Sequence, residues 1–260
     1  MAVTNFIQTI WSKKIQDDLE LKCKLVDNCL RDYEGDCKYA QSVKILGVGE
    51  PTIGAYDGSQ DITIEEMSDR SQILTIDQAN YFAFYVDDVN QAQSVPGLAE
   101  KYQEKAVHGL AVARDTYVAN LIAAATNKTS VTMTEEGFKK GIDEAIVALR
   151  ERNFDEAGVI EITPAAYNLF KNHLITLSTN NPELIRKGVV GVYDQFDVIM
   201  SNNLKTPGCI RGKKAVAFAG QINEVEALRA EKRFKDIIRG LDTFGAKVID
   251  ENRIQVLTTA

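Results

Sequence analysis

The stretch that decides the fold is SVPGLAEKYQEKAVHGLAVARDTYVANLIAAAT, residues 94–126. Its apolar residues recur at steps of three and four, the spacing of one helical face: Leu98, Tyr102, Ala106, Leu110, Ala113, Tyr117 and Leu121. Ser94 is suited to cap the helix, Pro96 to its first turn, and Asn127 to its end. The pattern predicts a helix over 94–126. Its thirty residues from Pro96 to Ala125 would form a rod of about 45 Å against which other elements pack.

Composition and charge exclude several classes of protein. The 260 residues are 45% hydrophobic and 26% charged, so the chain can bury the core of one large or two modest domains. A net charge of -7 disfavours a nucleic-acid reader. We expect neither a secretory signal nor a membrane span, because no run is apolar for long enough. The four cysteines are too irregularly spaced for a disulfide framework, so we expect free thiols in the cytosol.

Residues 1–35 begin with a helical apolar stripe that is flanked by lysines. The stripe comprises Phe6, Ile7, Ile10, Trp11, Ile15 and Leu19. Two interpretations remain open, a helix folded back onto its own core and an arm that embraces another subunit.

A long hairpin is predicted next. Glycines divide residues 35–58, Val43 with Ile45 alternates as strands do, and so does Ile62 with Ile64. Residues 73–86 predict a longer strand with Phe82, Phe84 and Val86 on one side and Tyr81 and Tyr85 on the other. Because a two-stranded ribbon is only marginally stable alone, it needs a partner surface.

The middle of this hairpin is acidic. Between Gly47 and Arg70 there are six acidic residues, and Arg70 is the single basic one. Such a run is either a solvated loop or one side of an ionic contact.

The rest of the chain predicts a mixed α/β region. Thr134 caps a helix with Phe138, Ile142, Ile146 and Leu149 on one face, and the pair Thr163 and Pro164 starts another. Strands are predicted at 159–162, 189–192, 196–200, 215–219, 225–228, 241–249 and 254–257. Residues 232–239 fit a strand or a helix.

Catalytic patterns are missing from the sequence. His108 and His173 have no Glu or Cys at metal-ligand spacing. There is no nucleophile elbow, P-loop or dinucleotide fingerprint. We therefore expect no enzyme, no cofactor and no metal site.

Short stretches in a fixed order carry a family resemblance. They are RDYEG at 31–35, LTIDQA at 74–79, VDDV at 86–89, FDV at 196–198, SNNL at 201–204, EKRF at 231–234 and FGAKV at 244–248. With the arm, hairpin and long helix around them, the chain resembles the major capsid protein of tailed bacteriophages, the Hong Kong phage type of capsid fold. The resemblance covers nearly the whole chain.

The resemblance implies an α+β fold in four parts. Residues 1–35 form the N-terminal arm, and 36–90 form the extended hairpin loop with its strands. Residues 91–129 and 224–260 form a peripheral domain around the long helix, the family's spine helix. Residues 130–223 form the mixed α/β axial domain.

The resemblance also implies a function. Copies of the chain would assemble into pentamers and hexamers of an icosahedral head around double-stranded DNA, which they meet by non-specific proximity. The chain would be made in the host cytoplasm and end in the virion, without contact with a membrane. Some relatives carry a large N-terminal assembly segment, whereas this arm begins within ten residues, so we expect a separate scaffolding protein, and also a portal.

Contacts between copies are predicted for nine residues. They are Ile7, Ile10 and Trp11 of the arm, then Glu65, Glu66 and Asp69 of the loop, set against Lys232, Arg233 and Lys235 of a neighbour. Relatives that join subunits covalently use a lysine on the extended loop, and residues 47–70 have none, so we expect no such cross-links.

Two alternatives belong to other classes. An encapsulin-like compartment has the same fold but encloses an enzyme, which would purify with the particles. A soluble α/β enzyme would form a small oligomer and have a concave pocket with perturbed titratable groups.

Overall fold

The computed structural model describes residues 23–34, 42–48, 69–87, 98–177, 191–229 and 235–259. The helices are α1 (Leu98–Ala123), α2 (Glu135–Arg150) and α3 (Pro164–Leu177). The strands are β1 (Ser42–Val48), β2 (Asp69–Thr75), β3 (Gln78–Asp87), β4 (Lys128–Val131), β5 (Gly158–Ile162), β6 (Val192–Tyr193), β7 (Phe196–Met200), β8 (Gly208–Gly212), β9 (Val216–Arg229), β10 (Lys235–Val248) and β11 (Ile254–Thr259). Short 3-10 turns lie at Val26–Asn28 and Glu251–Arg253.

The long helix is confirmed as α1, which ends three residues earlier than predicted. Its predicted start at 94–97 lies outside the described residues. At 26 residues it is about 39 Å long. Val107, Leu110, Val118 and Ile122 are buried along one side, where α1 packs on β10.

A three-stranded antiparallel sheet lies against α1, in the order β3-β10-β9. Its inner face carries Phe82, Phe84, Ile238 and Phe244, which join one core with α1. Residues 215–219 and 225–228 belong to a single strand, β9, whose register with β10 shifts beside Leu241. The described part of 232–239 is strand, which resolves the alternative between strand and helix.

The prediction of one strand over 73–86 was wrong. The strand is interrupted at Ile76 and Asp77, where the chain passes from a two-stranded ribbon, β1 with β2, to the three-stranded sheet. The Tyr117 hydroxyl donates to Asp77 (3.1 Å), and Ile76 packs beneath the ribbon. These contacts come from distant parts of the chain, so the local alternation did not reveal the break.

The second sheet has six strands in the order β4-β11-β8-β5-β7-β6. Helix α2 packs on β4, β8 and β11 and also against α3. Its predicted cap is confirmed, since Gly137 N donates to Thr134 Oγ1 (3.1 Å), and so is its buried face. β4 and β8 were not among the predicted strands, and residues 208–212 of β8 contain two glycines and an arginine.

Several strands cross or leave the predicted domain segments. β4 (Lys128–Val131) runs through the boundary at 129/130. β9 runs through the boundary at 223/224, and β11, within 224–260, pairs with β4 and β8 of the six-stranded sheet. The division into arm, loop, peripheral and axial parts remains a prediction.

A pair of glycine substitutions tests how the ribbon is joined to the sheet. A Cβ at Gly245 would lie 2.1 Å from the Thr75 carbonyl oxygen, whereas one at Gly109 on α1 would meet nothing within 4 Å. We expect Gly245→Ala to lower the free energy of unfolding by about 1–3 kcal/mol. Gly109→Ala should raise it by up to about 1 kcal/mol. Urea denaturation measures both, and equal effects would contradict the described close approach.

Candidate assembly interface

The outer face of the three-stranded sheet exposes large apolar side chains. Tyr81 is 80% exposed and Tyr85 is 67% exposed, and both point away from α1. Leu241 lies opposite Tyr81, and Ile237 lies between Tyr85 and Leu228. The predicted sidedness of this strand is therefore confirmed for the four aromatic residues, with Tyr81 and Tyr85 outside and Phe82 and Phe84 inside.

A shallow groove of about 370 Å³ runs along this face. It is lined by Tyr81, Phe82, Ala83, Glu226, Arg239, Gly240 and Leu241. Arg239 Nε donates to Glu226 Oε2 (2.7 Å), so the two charges in the groove are paired with each other. No cluster of metal-ligating side chains lies within the described ranges. The groove thus offers aromatic and aliphatic surface, which suits contact with another chain.

The ribbon covers the other end of the same sheet face. Val43, Ile45 and Leu74 pack on Ala217 and Ala219 of β9. The close approach of Thr75 to Gly245 holds the ribbon against β10. Residues 49–68, which link β1 to β2 and include the predicted strand pair Ile62 and Ile64, lie outside the described residues. The ribbon and the exposed tyrosines thus share one side of the sheet.

The structure places two of the nine predicted contact residues, both by backbone only. Asp69 pairs with Val48 at the end of the ribbon where residues 49–68 depart. Lys235 pairs with Asp87 at the end of β10 that follows the connection from β9. The other seven, Ile7, Ile10, Trp11, Glu65, Glu66, Lys232 and Arg233, lie outside the described residues. Their roles remain predictions.

A buried ion pair lies between α1 and the three-stranded sheet, on the side away from the groove. Arg114 on α1 forms a bidentate ion pair with Asp242 on β10 and lies over the rings of Phe218 and Phe244. Burial raises the pKa of Asp242, and the bonds from Arg114 oppose that rise. This pair joins α1 to the sheet. Because both partners are almost fully buried, it is closed to a substrate.

A second buried pair lies in the six-stranded sheet. Arg211 on β8 and Glu161 on β5 are both fully buried, with Arg211 Nη2 to Glu161 Oε1 at 2.7 Å. Cys209 Sγ also donates to Glu161 (3.3 Å). Cys23, Cys29 and Cys209 are free and buried, as the expectation of free thiols requires, and Cys37 lies outside the described residues.

Sequence reasoning missed the groups that organise the interior, Asp115, Glu161 and Arg211. One signal was available. Glu161 interrupts the apolar run GVIEI, and Arg211 interrupts GCIRG, so each is a lone charge inside a strand of otherwise apolar residues. Opposite charges in two such strands indicate a buried pair, because an unpaired charge in a core is very costly.

Comparison with known proteins gives a consistent result for the fold. No protein-family model matches the chain, and no curated protein is significantly similar. A structure from Mycobacterium phage Che8 superposes with a TM-score of 0.77 at 23% identity, over 90% of each chain. The capsid structure of cyanophage P-SCSP1u gives 0.74 at 15% identity, over 89% of this chain and 86% of that one.

A third similar structure is a virus-like particle from Pyrococcus furiosus. Its TM-score is 0.61 at 14% identity, over 96% of this chain and 99% of that chain. The chain therefore has the capsid fold shared by these shell proteins. More narrowly, it has the α+β fold of tailed-phage major capsid proteins, as the sequence resemblance implied.

One further finding concerns membranes. Among the helices that the structure describes, none is both long and apolar enough to cross a bilayer.

Proposed function

We propose that this chain is the major capsid protein of a tailed phage, a structural subunit and not an enzyme. Its copies would assemble into pentamers and hexamers of an icosahedral head that encloses double-stranded DNA. The observation that carries the proposal is the capsid fold, which extends over about 90% of the chain at TM-scores up to 0.77. A groove whose charges are already paired favours a binding surface over an active site.

The contact between copies is proposed to join the loop of one subunit to the sheet of the next. As the predicted hairpin, residues 49–68 would reach about 33 Å, at 3.3 Å for each of ten residues in a strand. Ile53, Tyr56, Ile62 and Ile64 give this loop apolar groups. They suit the exposed Tyr81 and Tyr85, because aromatic residues are common anchors of protein interfaces.

The charges of the loop and of the connection between β9 and β10 support the same contact between copies. Glu65, Glu66 and Asp69 would face Lys232, Arg233 and Lys235 of the neighbour, around the connection between β9 and β10. That connection follows Leu228, at the end of the sheet where Tyr85 is exposed. One loop can thus cover the apolar groove and reach the basic connection. The arm residues Ile7, Ile10 and Trp11 are proposed to contact another copy as well.

The other partners follow from the same proposal. A separate scaffolding protein would guide assembly and a portal would occupy one vertex, in the host cytoplasm before the particle is complete. The packaged DNA would be held by confinement and non-specific proximity, since the chain has a net charge of -7.

Electron microscopy of the full-length protein tests the function. We expect closed particles of uniform diameter when the chain is made together with the neighbouring assembly genes. Small oligomers under every condition would contradict the proposal. Uniform shells from the purified chain alone would count against a separate scaffold.

A protein compartment is the second candidate, favoured by the match to the virus-like particle over 99% of that chain. The contents of the particles distinguish the two functions. Particles that carry an enzyme as cargo and no DNA would favour the compartment over the phage head.

Reversing the charge of the loop should impair assembly and leave the subunit folded. We expect Glu65→Lys with Glu66→Lys to lower particle yield. Each exposed ion pair contributes only about 0–1 kcal/mol, but the loss recurs at every contact of the shell. Particle yield from sedimentation and thermal unfolding of the free subunit are the measurements.

The matched control is Asp155→Lys with Glu156→Lys, an adjacent exposed acidic pair far along the chain from the loop. It makes the same change in net charge. Equal yields from the loop variant and the control would reject the proposed contact.

A further inference from the structure

Residues 23–30 join the long helix to both sheets. Cys23, Leu25, Val26 and Cys29 are buried in the core beneath α1. Leu30 N donates to the Val216 carbonyl (2.8 Å), and Phe218 N donates to the Leu30 carbonyl (2.9 Å), so the segment ends as a short addition to β9. Residues 1–22, the part of the predicted arm (residues 1–35) that precedes this segment, lie outside the described residues.

Asp115 on α1 binds the start of the segment by its backbone. Its carboxylate accepts from the N–H groups of Lys24 (3.0 Å), Leu25 (3.1 Å) and Val26 (3.3 Å). Asn203 Nδ2 also donates to it, at 3.3 Å. Burial raises the pKa of Asp115, and these four bonds oppose the rise by favouring the charged form.

Arg211 on β8 binds the same segment by its carbonyl groups. Its Nη2 donates to the Leu25 carbonyl and its Nη1 to the Asn28 carbonyl, both at 2.8 Å. Glu161 holds the guanidinium in place through two further bonds. The short turn is thus bound by an anion on its N–H side and by a cation on its carbonyl side.

We infer that Asp115 and Arg211 are positioning residues for assembly, which fix the point and direction at which residues 1–22 leave the subunit. One lies on α1 and the other in the six-stranded sheet, so the segment keeps its place relative to both. A subunit without this fixation would present its arm in many directions, and its copies would meet at many angles. The inference rests on the proposed function, because it assigns the arm a role in contacts between copies.

Asp115→Asn in the full-length chain tests the inference, with Asp242→Asn as the matched control. Both residues are buried carboxylates, and the described bonds of Asp242 are to Arg114 and not to the segment. We expect amide hydrogen exchange at residues 24–26 to rise by about tenfold or more in Asp115→Asn only, because bonds to a charged acceptor are weakened.

The rate of thiol labelling is a second measure of how often residues 23–30 become exposed to solvent. Burial raises the pKa of Cys23 to about 12 and that of Cys29 to about 11, so both are protonated at pH 8 and react slowly. We expect Asp115→Asn to speed the labelling of Cys23 more than Asp242→Asn does.

The diameter of the assembled particles tests whether Asp115 has a role in assembly. With Asp115→Asn we expect particles of mixed diameter or open sheets, and with Asp242→Asn we expect particles of wild-type diameter. The inference would be overturned if the two variants had the same subunit stability and formed particles of the same diameter. If Asp115→Asn does not fold, Asn203→Ala takes its place and should raise exchange at 24–26 by a smaller factor, and no rise would also overturn it.

The two proposals fail in different ways. A wild-type chain that never forms particles would overturn the proposed function and the assembly role of the segment together. Uniform wild-type particles with no change in exchange at 24–26 in Asp115→Asn would overturn the inference alone.

Discussion

Replacing Arg211 with methionine is expected to lower the free energy of unfolding by about 3–5 kcal/mol. The substitution leaves the carboxylate of Glu161 fully buried without its cation. It also removes the donors to the carbonyl groups of Leu25 and Asn28. Urea denaturation of the free subunit measures the loss, as a lower midpoint with an unchanged slope.

Two further variants distinguish the cost of leaving Glu161 buried without its cation from the general cost of replacing an arginine. Arg211→Met combined with Glu161→Met removes both charges, so it should recover part of the lost stability. Arg150→Met removes the half-exposed partner of Asp194 and should cost about 0–1 kcal/mol. A loss for Arg211→Met as small as that for Arg150→Met would contradict the described burial.

Replacing Tyr81 and Tyr85 with serine is expected to abolish assembly while the subunit stays folded. The two side chains are largely exposed in the free subunit, so their loss should change its stability by only about 0.5 kcal/mol. If they anchor the neighbour's loop, each is a candidate hot spot, and truncating such an anchor typically costs about 2 kcal/mol or more of binding free energy. Sedimentation gives the particle yield, and thermal unfolding checks the fold.

Val192→Ser is the matched control for the tyrosines. Val192 is 65% exposed, on β6 at the edge of the six-stranded sheet, so the variant removes a similarly exposed apolar group away from the groove. We expect it to assemble as the wild type does. Normal yield from the double tyrosine variant would remove the outer sheet face from the interface.

Elements with local signals could be predicted from the sequence. The Thr134 cap and the pair Thr163 and Pro164 mark the starts of α2 and α3. The alternation of tyrosine and phenylalanine gave the two faces of β3, since residues two apart share one side of a strand. These signals need no knowledge of the rest of the molecule.

Features that depend on distant contacts escaped prediction. The break at Ile76 and Asp77 is set by Gly245 and Tyr117, which lie far along the chain. β8 has glycines at both ends and an arginine inside, and only its central position between β5 and β11 makes it a strand.

The candidate site also contains features that the sequence predicted and features that it did not. The exposed tyrosines were placed correctly by their alternation, but nothing near them in sequence indicates the groove with Glu226 and Arg239. Asp115 looks like an ordinary polar residue of a helix, because the amides that it binds are about ninety residues away. Local reasoning therefore identified a surface and missed the groups that hold the subunit together.

The position of β11 has a consequence for synthesis on the ribosome. This strand lies between β4 and β8, so the six-stranded sheet stays open until residues 254–259 have emerged. Until then α2 lacks one of the three strands on which it packs, so the core beneath α2 stays incomplete.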